Sequence, residues 1–158
     1  MPLTPSHALR QLQPGDADLF RALLTMFGEA FSDTESYLRA QPDDTYIGKL
    51  LAGDAFIALV ALHEGTVVGG LAAYELKKFE QERSEIYIYD LAVSDAHRRK
   101  GVGTGTINAL RKIAASQGAY VIFVQSDLED GPAIALYRSL GTMKLANHFD
   151  IKVGTIKS

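Results

Sequence analysis

The chain contains no cysteine. That absence excludes disulfide bridges, a thiol nucleophile and cysteine-ligated zinc, and it fits a cytoplasmic protein. No run approaches the roughly 20 apolar residues of a membrane span. The amino terminus, MPLTPSHALRQL, shows neither the apolar core nor the cleavage site of a secretion signal. No membrane partner is expected. An excess of positive charge is missing as well. The formal net charge is −3, whereas nucleic-acid-binding domains are usually basic, so nucleic acid is not an expected partner. No pair of histidines has metal-ligand spacing, so no metal is expected either; His7 and His63 read as surface residues. Repeats, low-complexity tracts and linkers are all lacking. What remains is one domain over residues 1–158, with residues 1–7 as a loose tail. Its hydrophobic content of 47% is globular, and 158 residues bury a full core without staples.

The stretch that organises the chain is Ser84 to Gly105, SEIYIYDLAVSDAHRRKGVGTG. A run of β-formers leads through a short polar segment into three basic residues and alternating glycines. INALRKIAASQ follows, with Ile107, Leu110, Ile113 and Ala114 on one helical face. Strand, basic glycine loop and helix in succession make a layout for holding phosphate, because loop amides and the positive helix end face the anion together. Arg98, Gly101 and Gly103 fit R-x-x-G-x-G, with Arg99 and Lys100 inside it. The P-loop signature is absent, which argues against a nucleotide triphosphatase. Thr106 stands where a dinucleotide fold needs its third glycine. No Gly-x-Ser-x-Gly elbow is present, so no serine nucleophile is expected.

DLAVSDAHRRKGVG resembles the acetyl-coenzyme A loop of the GNAT N-acetyltransferase superfamily, whose motif is (Q or R)-x-x-G-x-(G or A) after a strand. More narrowly, KFEQERSEIYIYDLAV, HRRKG, GAYVIFVQ, ALYRSLG and HFDI together resemble the type I aminoglycoside 3-N-acetyltransferases. The chain departs from those relatives at Leu128 and Glu129, which bears on substrate range rather than reaction type. The resemblance implies a single-domain GNAT fold and acetyl-coenzyme A as cosubstrate. It also implies acetyl transfer to the 3-amino group of gentamicin-like aminoglycosides, a charge-removing change that confers resistance, and a homodimer whose final strands pair between subunits. Acetyltransfer to another polyamine or small amine, or a non-catalytic acetyl-coenzyme A sensor, stays open.

The remaining elements follow from pattern. Ala8–Gln13 reads as a strand stopped by Pro14-Gly15, and Asp16 as the cap of an amphipathic helix carrying Phe20, Leu23, Leu24 and Phe27. Ser32–Ala40 reads as a short helix and Asp43–Ala52 as another. Phe31–Gln41, polar with one Tyr37, is implied by the resemblance to border the acceptor site. Phe56–Leu62 and Val67–Leu76 form a hairpin, and Gly69-Gly70 suggests a bulge or a close backbone approach. Ala119–Gln125 reads as a fully buried strand, Pro132–Leu140 as a helix, and Thr142–Ala146 and Phe149–Val153 as two closing strands. The fold class is mixed α/β with a mostly antiparallel sheet.

The roles implied by the resemblance are these. Arg98, Arg99, Lys100, Gly101, Val102, Gly103, Thr104 and Gly105 hold the pyrophosphate. Backbone amides of Leu91, Ala92 and Val93, where the central strand splays from its neighbour, hold the pantetheine arm. Tyr137 is the general acid, since a phenol with an ordinary pKa of about 10 can protonate a departing thiolate. Asp90 is the first choice for the base that deprotonates the amine, and Glu85 the second. Strict alternation puts Glu85, Tyr87, Tyr89 and Leu91 on one face and Asp90 on the other, unless a bulge resets the parity. Glu85, Asp90, Asp127, Glu129, His148 and Asp150 are candidates for holding the substrate's amines. His97 packs or contacts phosphate. If the two acidic sets around Glu85 and Glu129 flank the loop, one end of the cleft suits an anion and the other a polycation; a solvated acidic surface is the alternative.

Overall fold

The computed structural model describes residues 7–154. The expected tail therefore lies outside the described residues except for His7, which is a buried member of the first strand. The chain divides into two compact units, one ending at Gln125 and one beginning at Ser126. Among the described residues no helix is long and apolar enough to cross a membrane.

The first unit is a five-stranded sheet in the order β1 (His7–Gln11), β2 (Phe56–His63), β3 (Thr66–Lys77), β4 (Ser84–Val93), β5 (Ala119–Val124). All neighbours are antiparallel except β4 and β5, which are parallel and joined through helix α4 (Val102–Ser116). One face packs against α1 (Ala17–Ala30) and α3 (Asp44–Ala52), with the short α2 (Thr34–Leu38) between them. Phe20, Leu23, Met26 and Phe27 of α1 and Ile47 and Leu51 of α3 meet Phe56, Ala58, Val60 and Ala92 of the sheet in one apolar cluster. The intervening Ile57, Leu59 and Ala61 are also buried, so β2 is covered on both faces. Helix α4 packs on all five strands and buries Val102, Ile107, Leu110 and Ala114. Asp43 caps α3 by accepting from the Tyr46 amide (2.9 Å). Asp16 does not cap α1 in that way; its carboxylate instead takes Arg10 (2.6 Å) and the Gln13 amide (2.7 Å).

Gly69 and Gly70 fulfil the close-approach expectation. A β-carbon on Gly70 would sit 2.4 Å from the Leu59 carbonyl oxygen and 2.7 Å from Leu23, and one on Gly69 would sit 2.8 Å from Val102. The register also slips beside them, between Ala61 and Leu62. Strand β5 is less buried than its sequence suggests, with Tyr120 and Val121 exposed. It is the last strand of the sheet, so fewer neighbours cover it.

The second unit contains α5 (Gly131–Leu140), which has Pro132 in its first turn and is capped by Asp130, whose carboxylate accepts from the Ala133 amide (3.2 Å). The two closing strands expected after it are not formed. Residues 142–153 carry no strand pairing, and Met143, Leu145, Phe149, Ile151 and Val153 are all exposed. Their alternation is that of a strand, but a strand exists only where a second one receives its hydrogen bonds.

Candidate active site

The glycine loop lies between a 3-10 turn (Asp95–His97) and α4. Arg99 and Gly101 both adopt positive φ, +62° and +79°. Gly101 is the N-cap of α4 and has no side chain to satisfy the first turn. The Gly105 amide donates to the Gly101 carbonyl (2.9 Å), closing the first helical ring. The amides of Val102, Gly103 and Thr104 precede that ring, so they have no partner within the helix. Arg98, Arg99 and Lys100 are exposed around them. Arg98 is folded back onto Asp95 (3.2 Å) and the Val93 carbonyl (3.3 Å). An uncapped helix start, a left-handed glycine and three cations fit a diphosphate. Thr106, which breaks the dinucleotide pattern, is buried and returns its hydroxyl to the Val102 carbonyl (2.7 Å).

Strand β4 leads into this loop, and its two sides are paired to different lengths. Pairing with β5 ends at Ile88–Val124, whereas pairing with β3 continues to Val93–Gly69. The Ser94 amide donates to the Val68 carbonyl on the β3 side (2.8 Å). Antiparallel alternation then turns the Ala92 amide toward β3 and those of Leu91 and Val93 away from it. Of the three amides expected to be open, two are therefore directed toward the splay and one is committed to the sheet.

A bulge in β4 decides which way Asp90 faces. Ala73 pairs with Ile88 and Ala72 with Asp90, leaving Tyr89 as the extra residue. The parity resets there, and Asp90 joins the face of Glu85 and Tyr87, opposite to the strict-alternation expectation. On that face it meets α2. The Tyr37 hydroxyl donates to Asp90 Oδ2 (2.7 Å), so the segment expected to border the acceptor site reaches the expected base. Burial raises the Asp90 pKa, opposed by the Tyr37 bond. Burial, and then the same bond, push the Tyr37 phenol above its usual range. Tyr74, Tyr87 and Tyr89 stand beside Asp90 as an aromatic wall, with ring centroids 6.2 Å (Tyr74–Tyr89) and 5.8 Å (Tyr87–Tyr89) apart. Tyr89 is 65% exposed, so the wall opens to solvent. Only the β-rich composition of this stretch hinted at it.

Glu85 occupies a different setting near the start of β4. It accepts from the Tyr120 hydroxyl (2.7 Å) and lies 3.6 Å from Lys78, which also pairs with Glu80 (3.4 Å). The Tyr120 bond is the main reason its carboxyl is held below the usual range. Glu85 is thus an ionised, ion-paired group, whereas Asp90 is a partly desolvated one.

In the second unit, Tyr137 is half-buried on α5 and its carbonyl accepts from the Gly141 amide (2.8 Å). Asp127 and Glu129 are exposed on the turn before α5. His148 bonds Asp150 Oδ1 through Nε2 (2.9 Å), and both are exposed.

The sequence did not reveal that His7, His63 and His97 meet. One ring nitrogen from each lies within 4.8 Å of the others. His7, expected at the surface, is 7% exposed. The signal was available only as a sheet register: His7 pairs with His63 across β1 and β2.

The Acetyltransferase (GNAT) family model matches residues 17–142. Among solved structures, an aminoglycoside acetyltransferase from an uncultured soil metagenomic sample is 57% identical, covering 94% of this chain and 99% of that one, with a TM-score of 0.92. A second aminoglycoside acetyltransferase from such a sample, in complex with sisomicin, is 30% identical over 94% and 97%, with a TM-score of 0.87. N-acetyltransferase 8 from Rattus norvegicus is 28% identical over 126 residues, 72% of this chain and 56% of that protein. The chain spans about half the length of the curated relatives it matches.

Proposed function

This chain belongs to the Acetyltransferase (GNAT) family, and from that premise we propose that it transfers acetyl from acetyl-coenzyme A to an amine of an aminoglycoside. The observation that carries the reading is the 57% identity, over nearly the whole of both chains, to an aminoglycoside acetyltransferase. The family match, residues 17–142, covers most of the first compact unit and runs into the second, which supports treating them as one catalytic domain. We assign the 3-amino group of gentamicin-like compounds as the acceptor on the sequence resemblance of the β4, loop and α5 segments.

The donor, when bound, supplies an activated thioester, so the chain needs no nucleophile of its own. The amides of Val102, Gly103 and Thr104 and the side chains of Arg98, Arg99 and Lys100 bind its diphosphate, with Gly101 and Gly105 keeping the backbone accessible. The outward amides of Leu91 and Val93 bind its peptide-like arm, and one of them stabilises the oxygen that gains charge during attack. Asp90 takes the proton from the attacking amine. It suits that task better than Glu85, because partial burial makes it more basic while Glu85, held by the Tyr120 hydroxyl and then by Lys78, is less so. Tyr37 orients the Asp90 carboxylate. Tyr137 returns a proton to the departing thiolate. Glu85, Asp127, Glu129, His148 and Asp150 hold the acceptor's other ammonium groups.

Two further properties belong to the same reading. The segment 142–153, with its row of exposed apolar side chains, pairs with the same segment of a second copy to make a homodimer. Action in the cytoplasm is the location that the cysteine-free sequence fits.

A thiol-release assay over a panel of aminoglycosides and simple polyamines tests the function, with the acetylated position mapped by NMR. The expected result is turnover of gentamicin-like compounds with a shift at the 3-amino carbon. Faster turnover of a simple polyamine would move the assignment to another amine. Donor binding without turnover of any amine would leave only the sensor reading.

A further inference from the structure

We propose that His7, His63 and His97 form a binding site for a divalent transition-metal ion of the zinc type, outside the acetyl-transfer machinery. Three features carry it. First, each residue presents one ring nitrogen and the three lie within 4.8 Å of one another, with His7 Nε2 3.0 Å from His97 Nδ1. Zinc holds imidazole nitrogens at about 2.0–2.1 Å, which sets tetrahedral neighbours about 3.3 Å apart. The closest pair is already near that spacing, and the wider separations, all within 4.8 Å, close as the rings turn toward a shared ion.

Second, the backbones that deliver the rings are fixed. His7 and His63 are register partners in β1 and β2. His97 ends the 3-10 turn, where its amide donates to the Ser94 carbonyl (2.9 Å) and Ser94 is itself tied to Val68 (2.8 Å). The rings pack with centroids 5.4, 5.2 and 4.9 Å apart. Third, the donor set is selective. Three imidazoles without a carboxylate suit zinc, nickel or copper and not magnesium or calcium, which require oxygen. His63 Nδ1 is buried with no hydrogen-bond partner among the described residues, an uncommon condition for a polar atom and one that an ion can relieve.

The local charges work both ways. Burial lowers the pKa of His7 and of His97, and the neighbouring imidazoles and then Lys100 add to it. Neutral imidazole is the form that binds a metal, but the Lys100 charge opposes a dication. Glu64, with Oε1 3.9 Å from His63 Nε2, supplies an opposing charge. The proton shared between His7 and His97 moves to another ring nitrogen or to water when both nitrogens turn their lone pairs to the ion. Nothing is oxidised or reduced. A bound ion would join β1 to the turn that immediately precedes Arg98.

The test uses untagged, metal-stripped full-length protein. Zinc is titrated by calorimetry, cobalt(II) by visible absorption, and magnesium serves as control. The expected result is one zinc per chain, an intense tetrahedral-type cobalt spectrum, no response to magnesium, and at least about a tenfold loss of affinity in His63→Ala. Should that variant not fold, as judged by circular dichroism, His63→Gln takes its place. A crystal soaked in zinc and measured at the zinc edge gives the position directly. A peak among the three rings supports the site. Unsaturable binding by the wild type, unchanged affinity in the His63 variant, or a peak elsewhere overturns it.

Discussion

Replacing Tyr37 by Phe removes one hydroxyl and keeps the ring that packs against Phe27 and Phe31. Its consequence falls on Asp90. The lost bond is 2.7 Å long and ends on a carboxylate, a class worth about 1.5–3 kcal/mol. Asp90 keeps some access to water, and solvent takes over part of the role, leaving about 1.4 kcal/mol, or about one pKa unit. The bond favours the ionised form, so its removal moves the pKa up. If Asp90 accepts the amine's proton, the acid limb of kcat/KM moves up by about one pH unit, and activity below that limb falls about tenfold. The plateau at higher pH is unchanged. The substrate amine is the same in both proteins, so a shift between them belongs to the enzyme. A pH–rate profile of wild type and Tyr37→Phe, with the Asp90 carboxyl carbon followed by NMR titration, reads both quantities. An unmoved NMR titration would refute the electrostatic reasoning. A moved titration with an unmoved rate profile would remove Asp90 from proton transfer.

Asp90→Asn should abolish most turnover but not stability. A carboxyl whose folded pKa lies above its unfolded value contributes stability in full only below the unfolded value, and loses it as pH rises through the folded one. Near neutral pH the ionised Asp90 is therefore a burden, and the asparagine variant should melt at the same temperature or higher in a thermal scan at pH 7. Tyr137→Phe should lower kcat while calorimetric affinity for coenzyme A stays within about twofold; equal loss of both would point to a packing role instead. Gly70→Ala forces a β-carbon onto the Leu59 carbonyl and should cost about 3 kcal/mol, the upper end for overpacking, measurable as a lowered urea midpoint. Lys100→Ala should weaken coenzyme A binding more at low salt than at high salt, since an exposed cation acts through a screened field.

The sequence exposed most of the first unit because its signals are local. Alternating glycines after three basic residues marked the loop, and the 3.6-residue spacing of Phe20, Leu23 and Phe27 marked α1. Gly69 and Gly70 announced a tight approach without naming what approaches, since the Leu59 carbonyl lies on another strand. The facing of Asp90 was illegible for a sharper reason. One extra residue, Tyr89, inverts everything beyond it, and no residue type reports a bulge of that kind. The histidine trio is invisible for the same cause: residues 7, 63 and 97 become neighbours only through strand register and a turn. The missing closing strands mark the opposite error. Their apolar residues do alternate as a strand's would, but alternation specifies a face to be covered and not the chain that covers it.

The unequal pairing along β4 has a consequence for how this protein behaves when no donor is present. From Tyr89 onward one flank of the strand carries no strand pairing among the described residues, and a guest whose own backbone contains amides can lie there as a temporary sixth strand. An unfilled opening of this kind is also open to a stray extended polypeptide. Shelf life in solution should therefore track coenzyme A concentration, with the vacant protein the first to precipitate.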